Sequence, residues 1–234
     1  MALESRCRPT PWFLTCLSAG VPADDAWLGP TESQVLSRIR FSKRRSDWRL
    51  GRWAGKQLAL RSALVPGQTT LQSIEILAAS DGAPELYVDG RRIPHPISLS
   101  HSAGSSFCVV AAEPILLGCD METVEPREWG LVDDYFVAAE AAAVGAAPAE
   151  ERALLTNLVW SAKESVLKAL REGLRRDTRT VVVEWNARGE GWNPLRCRCL
   201  LTCRRFDGWW ESSGGFVRTI LADRALATPR RVHV

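Results

Sequence analysis

Apolar positions in this chain change their spacing several times, and each change marks an element. Residues 31–64 are dominated by Ala, Leu, Arg, Lys and Gln and stop at Pro66-Gly67, which predicts one or two helices. Two short apolar runs follow, 73–79 and 85–88, set off by Asp81-Gly82-Ala83-Pro84 and Asp89-Gly90, the punctuation of strands and turns. Runs 107–112 and 115–122, split by Glu113-Pro114, read as a hairpin. A helix is expected from 131 to about 144, a longer one after Pro148 over 149–174, and closing strands over 180–185, 195–203 and 215–221. Strands and helices arranged this way give an α+β fold.

One internal repeat cuts across these elements. The nine residues from Trp53 to Arg61 align without gaps on the nine from Trp160 to Lys168, about 107 residues later. Trp, Lys56 or Lys163, Gln57 or Glu164, Leu and a final cation recur at the same offsets. The expected organisation is therefore two related α+β halves, 1–112 and 113–234, with a ligand site in the cleft between them.

Composition narrows the class. The chain has 234 residues, 46% hydrophobic and 24% charged, with 30 Lys and Arg against 27 Asp and Glu. This is ordinary globular composition and excludes disorder, collagen-like repeats and a uniformly basic nucleic-acid binder. Ten Trp are many for this length but name no function, since Trp is usually a half-buried packing residue. Seven cysteines, an odd number, suit a reducing compartment, and Cys197, Cys199 and Cys203 lack a fourth ligand for a zinc site. No 18-residue apolar window suggests a membrane span or a leader, so a cytoplasmic location is expected.

The near-neutral sum hides segregation. Residues 38–61 carry nine Lys or Arg and one acid; residues 113–151 carry ten acids and one base; residues 152–179 carry seven bases and three acids. Solvated helix faces would account for such blocks, and so would an anionic ligand held through a metal ion.

Within the acidic block, strand alternation puts Asp120 and Glu122 on one face, with Cys119 and Met121 on the other. Two carboxylates one strand step apart call for a hard cation, a basic partner or open water. On the long helix, Trp160, Glu164, Lys168 and Arg171 fall opposite the apolar stripe; a solvated Glu–Lys pair is the plain reading, but an outward-facing Trp suggests a covered site. Upstream, Ser98-Leu-Ser100-His101-Ser102-Ala-Gly104 forms a small polar turn whose imidazole and hydroxyls could bind phosphate.

Taken in order, the segments SLSHSAG, GCDMETVEP and WSAKESVLKA resemble the signature of the 4′-phosphopantetheinyl transferases, in their long, monomeric Sfp-type branch. The resemblance is specific over 98–169 and weaker over 40–61. It implies Mg²⁺-dependent (or Mn²⁺-dependent) transfer of the phosphopantetheine arm of coenzyme A to a serine of an apo acyl or peptidyl carrier protein, releasing adenosine 3′,5′-bisphosphate. It assigns Asp120, Glu122 and Glu164 to the metal, Lys168 and Lys163 to the pyrophosphate side, and Ser100 and His101 to the CoA nucleotide, with Arg52 and Lys56 beside them. Glu140 takes the position proposed for the base that deprotonates the serine. Ala83 departs from the branch, which often has Lys there, and Arg91 or Arg92 is the expected substitute. Arg171, Arg175, Arg176 and Arg179 are expected as a docking face for an acidic carrier, with a solvated helix end as the plainer reading. Neither nucleic acid nor membrane is an expected partner, and the alternative reading is a non-catalytic CoA or nucleotide binder of the same fold.

Overall fold

The structure is a computed structural model that describes residues 12–17, 20–186, 189–229 and 231–232. Eleven strands and five α-helices are found among them, in the mixed α+β class expected. In chain order they are β1 (Trp12–Leu17), α1 (Pro30–Arg38), α2 (Ser42–Arg61), β2 (Ile74–Ala78), β3 (Pro84–Val88), β4 (Arg91–Arg92), β5 (Ile97–Ser102), β6 (Ser105–Ala111) and β7 (Leu117–Thr123). Then come α3 (Trp129–Tyr135), α4 (Ala138–Ala146), α5 (Ala149–Ala169), β8 (Val181–Trp185), β9 (Asn193–Cys199), β10 (Arg205–Ser213) and β11 (Phe216–Ala222).

All strand pairing is antiparallel, in three sheets ordered β1-β6-β5, β2-β3-β4 and β7-β11-β10-β9-β8. Helix α2 packs on β6 and β5, and α5 packs across β7 and β11. The largest core joins α5 to the five-stranded sheet through Leu158, Val159, Ala162, Val166, Phe206, Trp210 and Val217. Close packing of α5 needs Gly118 in β7, because a Cβ there would come within 1.8 Å of the Ser165 carbonyl oxygen.

Several expectations are corrected. The run 107–112 does not pair with 115–122: β6 lies between β1 and β5, whereas β7 pairs with β11. The true hairpin is β5–β6, closed by Ala103 and Gly104, both at positive φ (44° and 73°) as a two-residue turn of the right twist requires. The expected helix over 131–144 is two, broken at Phe136 and Val137, where the extended backbone lets Glu140 reach back to the Val137 N–H. The long helix ends at Ala169 rather than 174, because Arg171 adopts φ 61° and the Glu172 N–H turns back to the Leu167 carbonyl. Neither β1 nor β10 was expected; a short run of apolar residues near Pro11 and a strand carrying Gly208 give weak alternation signals.

The β5 and β7 edges face one another without a backbone ladder. Ser98 Oγ accepts the Cys119 N–H (3.0 Å) and Ser100 Oγ accepts the Met121 N–H (3.3 Å). Side-chain hydroxyls two residues apart, on one face of β5, thus satisfy backbone donors of β7 that would otherwise be orphaned.

Candidate active site

The seam delivers Ser100 to the first acid. Ser100 Oγ donates to Asp120 Oδ1 at 2.8 Å, and Lys168 Nζ donates to the same oxygen at 2.7 Å and to the Cys119 carbonyl at 3.1 Å. Asp120 is 4% exposed, and its other oxygen, Oδ2, is buried with no hydrogen-bond partner.

Helix α5 lays one stripe over β7. Asn157, Trp160, Glu164 and Lys168, at helical spacings of three and four, point toward the strand's acids in antiparallel order. Lys168 meets Asp120, and the Trp160 indole N–H donates to Glu122 Oε1 at 3.1 Å. Arg127 donates to Glu122 Oε2 at 2.8 Å. Glu164 Oε1 is buried without a partner. The outward-facing Trp160 is therefore accounted for: it half-buries against Tyr135, ring centroids 5.2 Å apart, and holds a carboxylate.

Electrostatics set these groups apart. Burial, then the nearby Asp120 and Glu122 charges, push the Glu164 carboxyl up to about 7 against the pull of Lys168. Burial and Asp120 also raise Glu122, with Arg127 and Trp160 opposing. Burial works against the Lys168 ammonium, but Asp120, Cys119 and Glu164 together outweigh it and the lysine sits above its ordinary value. Two orphaned carboxylate oxygens among three acids form a hard-oxygen donor set that fits a divalent cation. Among the described residues no group of three or more His, Cys, Asp or Glu side chains is already drawn together closely enough to hold a metal ion.

A cleft of ≈630 Å³ opens beside this cluster, and Ser98 and Lys168 line it. Its walls are apolar (Leu86, Ile93, Pro94, Ile97, Leu99, Ile115), while six Lys or Arg and three acids ring it, a balance suited to an anionic ligand with a flat apolar part. Ala83 lies in the lining. Arg92 pairs with Glu85 just after its turn, Arg171 donates to Asp81 Oδ2 (2.7 Å), Asp81 Oδ1 (3.1 Å) and Glu85 Oε1 (3.0 Å), and Arg175 donates to the Asp81 carbonyl (3.3 Å). Arg91 is exposed and outside the lining.

Other expected site residues are not brought to the cluster. Lys163 is fully buried, ion-paired with Glu140 at 2.9 Å and donating to the Thr178 and Val181 carbonyls. Glu140, 3% exposed, spends its second oxygen on the Val183 N–H (2.8 Å). Lys56, also fully buried, pairs with Glu32 and donates to the Trp27 and Leu71 carbonyls. A group enclosed in this way cannot touch a nucleotide or take a proton from a docked protein, so Lys56 and Lys163 are corrected from ligand contacts, and Glu140 from general base, to internal pins. Arg52 stacks on Trp48 (4.7 Å), its Nε buried without a partner, and its pKa is lowered by burial. His101 is exposed at the end of β5, and neither it nor Arg52 lines the cleft. The expected docking cations are already engaged: Arg171 and Arg175 with the Asp81 turn, Arg176 with Glu172, and Arg179 with Asp177.

Sequence reasoning passed over Arg127 and Asn157. Arg127 is the lone base in the acidic block, a signal that was present; buried Asn157 gave none.

Among the described residues no helix is long and apolar enough to cross a membrane. No curated protein matches the chain. A family model does match, over residues 116–212, from the entry to β7 through most of β10, and so takes in Asp120, Glu122, Glu164 and Lys168 together. That model describes the 4′-phosphopantetheinyl transferase superfamily, and residues 116–212 of this chain are similar to it.

Proposed function

We propose that this protein transfers the 4′-phosphopantetheine group of coenzyme A to a serine hydroxyl of an apo acyl or peptidyl carrier protein. The observation that carries the reading is the convergence of Asp120, Glu122, Glu164 and Lys168, two of the acids with orphaned buried oxygens, at the edge of a cationic cleft. Asp120, Glu122 and Glu164 would hold Mg²⁺ or Mn²⁺, which when bound would supply positive charge to the pyrophosphate and its leaving group. Lys168, fixed by Asp120, aims a second positive charge at the same phosphates. Ser100 orients Asp120 from the other side. Apolar cleft walls and the cations Arg92, Arg171 and Arg175 would receive the nucleotide, and His101 and Arg52 lie outside that lining. The serine oxygen then bonds to the β-phosphorus as the bridging oxygen leaves with adenosine 3′,5′-bisphosphate. The serine's proton must pass to a group at the cluster, since Glu140 is committed to Lys163.

Residues 1–112 and 113–234 are read as two related halves that share this cleft, in a monomer working in a reducing cytoplasm. Among the described residues Cys197, Cys199 and Cys203 are free thiols. The test is mass spectrometry of a panel of apo carrier proteins incubated with the enzyme, CoA and Mg²⁺. A phosphopantetheine increment on serine, lost with chelator, supports the reading; CoA binding with no increment on any carrier would favour a non-catalytic binder.

A further inference from the structure

Arg127 follows β7 in the acidic block and belongs to none of the three motifs. Its Nη2 donates to Glu122 Oε2 at 2.8 Å, while its Nε donates to Asn157 Oδ1, also at 2.8 Å. Asn157 is fully buried on α5, and its amide nitrogen donates to the Glu125 and Ala153 carbonyls, 2.7 Å each. The guanidinium is thus anchored independently of the glutamate it serves. Glu122 Oε1 accepts the Trp160 indole N–H, so donors fixed to α5 constrain both oxygens. An ionised carboxylate oxygen has two acceptor positions, so each can take its donor and still face a cation.

We propose that Arg127, fixed by Asn157, is a positioning residue that aims Glu122 at the divalent cation it would share with Asp120 and Glu164. The inference rests on the metal site of the proposed function. A guanidinium that merely balanced charge until a metal arrived would have to be free to leave; Asn157 holds this one in place. Donors behind a ligating carboxylate commonly set metal affinity by ten- to a hundredfold. Lysine cannot replace the arrangement, because a single ammonium on a flexible stem does not present the two rigidly spaced N–H vectors that join Glu122 to Asn157.

The test is Mn²⁺ binding, followed by loss of the free-ion EPR signal in the presence of saturating CoA, with CoA affinity and melting temperature measured in parallel. Arg127→Ala and Asn157→Ala should each weaken Mn²⁺ binding by about tenfold or more with CoA affinity unchanged. The double variant should be no weaker than the poorer single one, since both act through one chain of contacts. Arg127→Lys should recover only part of the affinity, and it carries the test if the alanine variant fails to fold. Equal or tighter Mn²⁺ binding in folded Arg127 variants overturns the inference while leaving the metal site standing. Absence of Mn²⁺ binding in the unaltered protein removes the metal site itself, and the inference with it.

Discussion

Lys163 and Glu140 form an ion pair 2.9 Å long with neither side chain more than 2% exposed, and Lys56 and Glu32 repeat it 107 or 108 residues earlier in the chain. The correspondence extends to several of their contacts. Each glutamate is the third residue of a short helix, reaches back to the N-cap N–H (Gly29 or Val137), and accepts a strand N–H (Ile76 or Val183). Each lysine also donates to two carbonyls and lies near an aromatic ring, Trp27 or Phe136. Removing one partner of such a pair leaves a buried charge uncompensated, at a cost of about 3–5 kcal/mol. Glu140→Gln or Lys163→Met should therefore lower Tm on the order of 10 °C by calorimetry. A double apolar replacement should recover much of the loss, and transfer per folded molecule should survive it. If Glu140→Gln abolished transfer without moving Tm, the pin assignment would fail.

Glu164→Gln should separate function from stability. The substitution removes a buried charge beside Asp120 and Glu122, so the metal-free protein should melt a few degrees higher, at 2–4 °C per kcal/mol for a chain of this size. Carrier modification should fall to background in the same sample. Thermal melts in chelator beside the mass assay read both.

The same group sets a pH dependence. Glu164 keeps its proton up to about 7 in the fold, against an ordinary value of 4.5. Between these values the folded state binds the extra proton, so this contribution to stability is present below about 4.5 and is lost as pH rises toward 7. In chelator, Glu164→Gln should flatten the fall in Tm over that window. An unchanged pH profile would mean that Glu164 titrates normally.

Ser100→Ala would deprive Asp120 Oδ1 of a donor and leave the buried Met121 N–H without its acceptor. The expected cost is about 1–3 kcal/mol. Hydrogen exchange should show faster exchange at Met121 than at Cys119, whose partner Ser98 is untouched.

Arg171 tests the cleft. Its bonds to Asp81 and Glu85 are partly exposed, so Arg171→Ala should change Tm by no more than about 1 kcal/mol's equivalent. It would leave two acids facing an anionic ligand, and CoA binding should weaken roughly tenfold in KM with kcat held. A loss confined to kcat would contradict a role in ligand binding.

The amino-acid pattern revealed the chemistry better than the scaffold. Asp120, Glu122, Glu164 and Lys168 converge because strand and helix periods are fixed by backbone geometry, which a local pattern captures. The repeat likewise pointed to a shared geometry, although its lysines turned out to serve the interior: an exposed and a buried Lys look the same in a sequence, and only the partner, Glu32 or Glu140, distinguishes them. Long-range pairing was illegible for the same reason. Nothing local to 105–111 says that β1, far back in the chain, would be its neighbour in place of β7.

The meeting of β5 and β7 has a last consequence, for solubility. Each is the outer strand of its own sheet, a position at which unpaired backbone invites another chain to add on and aggregate. Here each edge shields the other, with the Ser98 and Ser100 hydroxyls accepting the Cys119 and Met121 N–H groups. Cutting the chain between Ala111 and Leu117 into separately expressed pieces would expose both edges at once, and each piece alone should be prone to self-association that co-expression relieves.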